Sequence, residues 1–131
     1  MELIRNNPKY WNFIRQLRNT NQGFIERVKI TKEQQEKFMA KNNDCYYICL
    51  SDDVPVGFIG VRNNDLVLAV SQNRQRKGIG KFMVENIPID LSEVVVKVLF
   101  ENDKSHKLFE SLGYKPFLIY YKKKTARMTD R

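Results

Sequence analysis

Two glycines, Gly78 and Gly80, lie among basic side chains in "SQNRQRKGIGKF", residues 71–82, directly after the apolar run "LVLAV". A strand that leads through a glycine-rich turn into a helix presents unpaired backbone N–H groups to a ligand, and the helix dipole favours an anion there. The nearby cations are Arg74, Arg76, Lys77 and Lys81. The stretch therefore predicts a phosphate-binding turn, and a solvated basic turn is the alternative.

The spacing of this turn differs from two familiar phosphate-binding motifs. "RQRKGIGKF" has neither the G-x-x-x-x-G-K-[ST] order of a P-loop nor the G-x-G-x-x-G order of a dinucleotide-binding turn. A lone glycine pair also occurs in ordinary tight turns. The turn alone therefore leaves both interpretations open.

The first half of the chain predicts a strand, two helices and three further strands. After the short strand "MELIR", Asn7 is placed to cap a helix that has Pro8 at its first position. Thr31 and Gln34 have the spacing of a capping box, which predicts the second helix. The three consecutive strands are "CYYICL", "PVGFIGV" and "LVLAV", separated by the polar turns "SDDV" and "RNND".

The second half predicts two helices and two strands. "KFMVENI" predicts a helix, and the β-branched run "VVVKVLF" (94–100) predicts a strand buried on both faces. "KSHKLFESL" predicts another helix, and residues 115–121 predict a last strand. The expected fold class is α/β (α+β), with a mixed, mostly antiparallel sheet flanked by helices.

Composition limits the class of protein. A chain of 131 residues predicts one domain, residues 1–131, with a basic and frayed tail at 122–131. The net charge of +8 indicates an anionic partner such as nucleic acid, a phosphorylated cofactor or an acidic surface. No apolar run reaches the roughly 18 residues of a membrane span, and the N-terminus lacks the apolar core of a signal peptide.

The two cysteines, Cys45 and Cys49, lie four residues apart in a predicted strand. Four strand residues span roughly 13 Å, which is beyond the reach of a disulfide. We therefore expect two buried, reduced thiols and a cytoplasmic protein. With one histidine and two cysteines in the chain, no metal site is expected.

Together with its flanks, the glycine turn resembles motif A of the GNAT N-acetyltransferase superfamily, [QR]-x-x-G-x-[GA], here Gln75-Arg76-Lys77-Gly78-Ile79-Gly80. "PVGFIGV" and "LAV" resemble the third and fourth strands of that family. "ENDKSHKLFESLGYKPF" resembles its motif N-x-x-[AS]-x-x-[LK]-[YF]-x-x-x-G-[FY]; the matching residues are Asn102, Ser105, Phe109, Gly113 and Tyr114. The resemblance implies a GNAT-like acyl-CoA N-acyltransferase fold.

The resemblance also implies a co-substrate and a reaction: acetyl-CoA would give its acetyl group directly to a primary amine, without a metal. The backbone of residues 75–80 would hold the pyrophosphate, and Asn102 and Phe109 would line the cofactor site. The pantetheine arm would pair with the backbone of Leu68, Ala69 and Val70, and an N–H near Val70 would polarise the thioester carbonyl.

The catalytic acid and base stay open. Phe109 stands where many family members have a tyrosine that protonates the leaving thiolate, and Tyr114, Tyr120 or Tyr121 are the substitutes. A thiol of pKa roughly 8.5 also leaves tolerably well without an acid.

For the base, some relatives have a glutamate where this chain has Lys97, and others have one where it has Asn64. Asp65 and Glu26 are the carboxylate candidates for the base. The alternative for Asp65 is a purely structural role in a hairpin turn, and the alternative for Glu26 is a solvated carboxylate in a loop. His106 is expected at the surface.

Three classes of acceptor compete. The stretches "IRQLRN", "ITKEQQEKFM" and "YYICL" resemble the branch of the superfamily that acetylates amino groups on nucleotide-linked sugars, so such an amine is the first choice. The second is a peptide N-terminus or a lysine. A polyamine is disfavoured because the protein is itself cationic. The alternative to an enzyme is an acyl-CoA-binding or nucleic-acid-binding module that uses "YYKKKTARMTDR". Both a monomer and a homodimer stay open.

Overall fold

The computed structural model describes residues 1–20, 29–75 and 78–124, and three predicted site residues (Glu26, Arg76, Lys77) lie outside these ranges. The five strands form one sheet in the order β1-β2-β3-β4-β5, antiparallel except for the parallel pair β4–β5. This confirms the predicted mixed, mostly antiparallel sheet flanked by helices. The elements are β1 Glu2–Arg5, α1 Trp11–Thr20, α2 Lys32–Asn42, β2 Tyr46–Ser51, β3 Val54–Arg62, β4 Asp65–Val70, α3 Ile79–Asn86, β5 Val95–Val96 and α4 Asp103–Ser111.

Local capping signals start the first two helices, as predicted. The Asn7 side chain accepts a hydrogen bond from the Lys9 N–H at 2.9 Å and opens a short 3-10 turn that continues into α1. Thr31 and Gln34 form both bonds of the capping box before α2, at 3.1 and 2.9 Å. Within the described ranges, no helix is long and apolar enough to cross a membrane.

Two tight turns set the register of the central strands. Residues 52–53 join β2 to β3, residues 63–64 join β3 to β4, and all four have positive φ angles between 50° and 64°. Such turns match the twist of adjacent antiparallel strands, and Asp and Asn tolerate the left-handed conformation that they require. The meander therefore follows from residues that can be read in the sequence.

The sheet separates two buried clusters. On one face, α1 and α2 cover a core around Ile14, Met39 and Phe58. On the other face, α3 and α4 pack with Ile59 and Met83. Phe58 and Ile59 are neighbours on β3 and point to opposite faces, as a pleated strand requires.

One strand prediction is confirmed only in part, and another is wrong. Of the predicted strand 94–100, only Val95–Val96 pairs with β4, both residues are half-buried, and Phe100 is 88% exposed. Residues 115–121 form no strand, and those between Phe117 and Tyr121 are 62–91% exposed. β-branched and aromatic residues favour strands only where a neighbouring strand supplies hydrogen bonds and packing.

The cysteines follow the prediction in part. Both are free; Cys49 is fully buried, and Cys45 is only half-buried because it lies in the short turn before β2. Burial raises the pKa of the Cys49 thiol above its ordinary value. The expectation of two buried thiols is therefore wrong for Cys45.

Candidate active site

A groove opens where β4 and β5 part. β5 pairs with β4 only opposite Asp65 and Leu66, although β4 continues to Val70. The groove has a volume of about 1610 Å³. Ordinary small-molecule pockets measure roughly 300–1,000 Å³, so this one has room for a large ligand or for two ligands side by side.

The register of β4 decides which backbone groups face the groove. Across the tight turn, Arg62 and Asp65 form the first hydrogen-bonded pair, and in antiparallel strands such pairs recur at every second residue. The Ser71 N–H, which bonds to the Val56 carbonyl at 2.9 Å, continues the same series. The N–H and C=O groups of Leu68 and Val70 therefore point away from β3, toward the open groove.

Ala69 was predicted to bind a ligand together with Leu68 and Val70, but it has the opposite orientation. Its partner on β3 is Phe58, and the alternation directs its N–H and C=O groups toward that strand. Its side chain is buried in the cluster beneath α1 and α2. Two of the three predicted β4 residues thus offer backbone groups to the groove.

The glycine turn is fastened to the end of β4. The Gln75 amide Nε2 donates to the Val70 carbonyl at 3.2 Å, and Lys104 Nζ of α4 donates to Gln75 Oε1 at 3.2 Å. Gly78, the N-cap residue of α3, adopts a left-handed conformation with φ +75° and has no side chain with which to cap the helix. The first N–H groups of α3 are therefore available to an anion.

The two glycines have different structural roles. A Cβ at Gly78 would meet no heavy atom within 4 Å, so this position borders open space. A Cβ at Gly80 would lie 3.1 Å from Leu108 Cδ2, so Gly80 lets α3 approach α4 closely. Ile79 between them is buried in the core. If a ligand approaches the backbone of this turn closely, as predicted, Gly78 is therefore the position that leaves room for it.

The groove carries a strong excess of positive charge. In the part of the chain that the structure describes, seven basic residues and two carboxylates line it. The basic residues are Arg18, Arg62, Arg74, Lys81, Lys97, Lys104 and Lys107, and the carboxylates are Asp65 and Glu101. A groove whose low-dielectric wall carries mostly positive charge raises the local concentration of anionic ligands.

The wall formed by α4 contains Asn102 and Phe109. Asn102 Oδ1 accepts from the Ser105 N–H at 3.2 Å and caps the helix, so only its Nδ2 group can donate to a ligand. Phe109 is 6% exposed and lines the groove, with its ring 5.4 Å from that of Tyr114 in an edge-on arrangement. Phe109 gives this wall an apolar surface without a proton donor.

The predicted acid candidates lie away from the groove. Tyr114 is half-buried against Phe109 and does not line the groove, and Tyr120 and Tyr121 are strongly exposed. His106 is half-buried rather than at the surface, because its Nε2 lies 3.1 Å from the carbonyls of Leu99 and Phe100.

The base candidate Asp65 lines the groove but has a partner. Its Oδ2 forms an ion pair with Lys97 Nζ at 3.2 Å. Asp65 lies five residues before Val70, or about 16 Å along the strand. It is therefore remote from the end of β4 to which the glycine turn is fastened.

Tyr46 lines the groove and was not singled out from the sequence, where it belongs to the apolar run "CYYICL". It is 3% exposed, and a Cβ at Gly60 would overlap its ring. The centroids of the Phe38 and Phe58 rings each lie 6.1 Å from that of the Tyr46 ring. Sequence spacing could not reveal this position, because it depends on the register of β2 against β3.

Charges surround the Tyr46 hydroxyl. Burial raises the pKa of the phenol above its ordinary value, while the positive charges of Arg18 and Arg62 lower it in part. Cys45 acts in the raising direction, and a hydrogen bond from Arg62 acts in the lowering direction. The phenol is therefore desolvated but lies beside two cations.

A family model described as an acetyltransferase (GNAT) domain matches residues 42–116. The match covers more than half of the chain and includes β2 to β5, the glycine turn and α4. The chain belongs to the GNAT family. In this GNAT protein the described residues of the glycine-turn motif line the groove, and so do Asn102, Ser105 and Phe109 of the second motif, whereas Gly113 and Tyr114 do not.

Solved structures share the fold of this GNAT protein at low sequence identity. A ribosomal-protein-alanine N-acetyltransferase from Brucella melitensis has a TM-score of 0.74 at 12% identity, with 86% of this chain and 83% of that chain covered. The diaminobutyrate acetyltransferase EctA from Paenibacillus lautus, in complex with L-2,4-diaminobutyric acid and coenzyme A, has a TM-score of 0.63 at 19% identity, with 85% and 74% covered.

A third structure is the aminoglycoside N-acetyltransferase AAC(6')-Iy with the bisubstrate analogue CoA-S-monomethyl-acetylneamine. Its TM-score is 0.67 at 15% identity, and 95% of this chain and 98% of that chain are covered. A search of curated proteins finds no match to this GNAT protein.

Proposed function

We propose that this GNAT protein transfers the acetyl group of acetyl-CoA directly to a primary amine. The observation that carries the proposal is the parting of β4 and β5, which leaves the backbone groups of Leu68 and Val70 facing a groove. At the end of that groove, the uncapped N-terminus of α3 follows Gly78. An extended ligand with an anionic head group matches both features.

The cofactor would lie with its pyrophosphate on the glycine turn and its pantetheine arm along β4. Residues 75–80, including Arg76 and Lys77, would hold the phosphates, with Arg74, Lys81 and Lys104 adding charge. The arm would bond to Leu68 and Val70 as an added strand and would contact Asn102 and Phe109.

The same placement indicates which N–H polarises the thioester carbonyl. Val70 is the residue fastened to the glycine turn through Gln75, so it lies at the phosphate end of the arm. Leu68 lies two residues, or about 7 Å, farther from that end. For the polarising role we therefore propose the N–H of Leu68, two residues from the Val70 position that the resemblance implied.

The reaction needs an amine on the face of the sheet that α1 and α2 cover. The amine nitrogen would attack the thioester carbon, the C–N bond would form, and the C–S bond would break with departure of the CoA thiolate. Arg18, Tyr46 and Arg62 line this end of the groove. The uncharged amine is the nucleophile, so a proton must leave the nitrogen during the transfer.

The positive groove supports an acceptor that carries an anionic group. An amino group on a nucleotide-linked sugar is our first choice, because its diphosphate complements the basic lining. A peptide amine is the second. The structural neighbours act on, or are bound to, acceptors as different as a ribosomal-protein alanine, diaminobutyric acid and an amino-sugar analogue, so charge carries this choice rather than the fold.

The test is a screen for CoA thiol release from acetyl-CoA with a panel of primary amines, followed by mass determination of the amine. The panel holds nucleotide-linked amino sugars, peptides with a free N-terminus or a lysine, and a polyamine. We expect amine-dependent thiol release and an acetylated product, with the anionic amines ahead of the polyamine. Thiol release without any acetylated amine would contradict the transfer, and a polyamine preference would contradict the acceptor class.

A further inference from the structure

Tyr46 stands out because it is a phenol-bearing residue that lines the groove. Among the residues that the structure describes, it is the one tyrosine that lines this groove. Phe109, the residue at the position of the usual family acid, has no proton to donate. The proposed reaction releases a thiolate, and among the described residues that line the groove Tyr46 and Ser105 carry neutral O–H groups, Tyr46 on β2 and Ser105 on α4.

The packing around Gly60 aims the Tyr46 side chain across the sheet. Tyr46 on β2 pairs with Gly60 on β3, and Gly60 pairs with Val67 on β4. The ring lies over Gly60, where a Cβ would overlap it. The ring therefore reaches across β3 toward β4, and Tyr46, Val67 and Leu68 line the same groove. Leu68 is the residue whose N–H we assign to the thioester carbonyl.

Arg62 lies close enough to the Tyr46 phenol to lower its pKa in part. A guanidinium has only N–H donors, so an approach by Arg62 does not engage the phenol O–H hydrogen, which can be donated elsewhere. The rings of Phe38 and Phe58 pack near the phenol ring, each with its centroid 6.1 Å away.

Charges on the surrounding elements suit a phenol that ionises for a short time. Arg18 approaches from α1 and Arg62 from β3, and Cys45 is the thiol that precedes Tyr46. The two cations stabilise a phenolate, while burial keeps the resting group protonated. A group that is neutral at rest and has cations beside it can give a proton and take one back.

We propose that Tyr46 is the catalytic acid, donating its phenol proton to the CoA sulfur as the thioester C–S bond breaks. This inference rests on the proposed acetyl transfer. The sulfur receives the bonding electron pair and the Tyr46 proton, and becomes the CoA thiol. The phenolate then takes the proton that the attacking nitrogen loses on forming the amide. The amine and acetyl-CoA thus become the acetamide and CoA, with Tyr46 returned to its neutral form.

A binding experiment tests the contact without a known acceptor. CoA and desulfo-CoA, which lacks the terminal sulfur, are titrated into the protein at about pH 9, where much of the thiol is ionised. The parent protein should bind CoA about tenfold more tightly than desulfo-CoA, because an O–H donor to a thiolate is a charge-assisted hydrogen bond. Tyr46→Phe should reduce this preference to about twofold or less.

Tyr47→Phe is the matched control. Tyr47 is the next residue, is buried as well, and packs on the opposite face of the sheet, where it does not line the groove. It should keep the parent preference for CoA. An equal preference in the parent and Tyr46→Phe proteins would overturn the role of Tyr46, and so would a parent that binds both ligands equally. Failure of the parent to bind either ligand would instead overturn the proposed function on which this inference rests.

Discussion

Gln75 Nε2 donates to the Val70 carbonyl at 3.2 Å, so the side chain of the glycine turn closes onto the last residue of β4. Lys104 of α4 bonds to the oxygen of the same amide. One side chain thus joins the strand, the turn and the helix at the end of the groove where we propose that the pyrophosphate lies. The position of the turn relative to β4 depends on this amide.

Gln75→Glu should weaken acetyl-CoA binding at least tenfold. A carboxylate cannot donate to the Val70 carbonyl, and it adds negative charge beside the phosphates. Gln72→Glu adds the same charge one turn away without touching Val70, and it should weaken binding less. Calorimetric titration of both variants compares the two contributions. Equal losses in the two variants would show that charge alone acts and that the bond to Val70 does not matter.

The contact between Tyr46 and Gly60 should appear as an energetic coupling. Gly60→Ala forces a methyl group into the ring of Tyr46, and overpacking of this kind costs roughly 1–3 kcal/mol in the free energy of unfolding. With Tyr46→Ala already present, the added methyl should cost less than about 0.5 kcal/mol. Urea unfolding of the two single variants and the double variant measures the coupling. If the free-energy changes of the two single variants simply add up in the double variant, the placement of the Tyr46 ring over Gly60 is contradicted.

The two thiols should differ in reactivity. Cys45 is half-buried, whereas Cys49 is fully buried with a raised thiol pKa, and the thiolate is the reactive form. A thiol-labelling reagent should modify Cys45 in the native protein and Cys49 only after unfolding in denaturant. Mass determination of labelled peptides identifies the site. Rapid labelling of native Cys49 would contradict its full burial in the folded protein.

Stability should fall as the pH rises above about 9. The thiol of Cys49 and the phenol of Tyr46 have ordinary pKa values of 9.0 and 10.0, and both are raised in the folded protein. Above those ordinary values the unfolded chain releases protons that the folded chain retains, which favours unfolding. Below the pKa values that the two groups have in the unfolded chain, their full contribution to the free energy of unfolding is present. This contribution is lost as the pH rises through the higher pKa values of the folded protein.

The contribution of Tyr46 can be separated with Tyr46→Phe. Urea unfolding of the parent and the variant is measured from about pH 8 to pH 11. The stability of the variant should decline less above about pH 10 than that of the parent, because it lacks one group with a raised pKa. A steeper decline in the variant would show that the phenol pKa is lowered in the folded protein.

Features that depend on neighbouring residues in the chain were predictable from the sequence. The caps at Asn7 and Thr31 act within one helical turn, and the tight turn at 63–64 is set by two adjacent asparagines. The glycine turn after β4 has the same local character. The sequence therefore predicts the order of the first elements and the place of the groove.

Features that depend on distant pairing were not predictable in this way. The run 94–100 has the composition of a buried strand, but β4 offers it partners at only two residues. The orientation of the Ala69 backbone depends on which residue pairs of β3 and β4 are the hydrogen-bonded ones. The role of Tyr46 depends on which β3 residue its ring covers. None of these relations is contained in a local pattern.

The most direct test of the central claim is titration of acetyl-CoA into the parent, Gly78→Asn and Gly78→Asp proteins. Asn and Asp have nearly the same shape and both tolerate the left-handed conformation at φ +75°, so the two variants differ mainly in charge. If residues 75–80 and the N-terminus of α3 hold the pyrophosphate, the parent and Gly78→Asn should bind acetyl-CoA with affinities within about threefold. Gly78→Asp should bind at least tenfold more weakly, because its negative charge repels the phosphates. Equal binding by the two variants, or no binding by the parent, would contradict the assignment of this groove to acetyl-CoA.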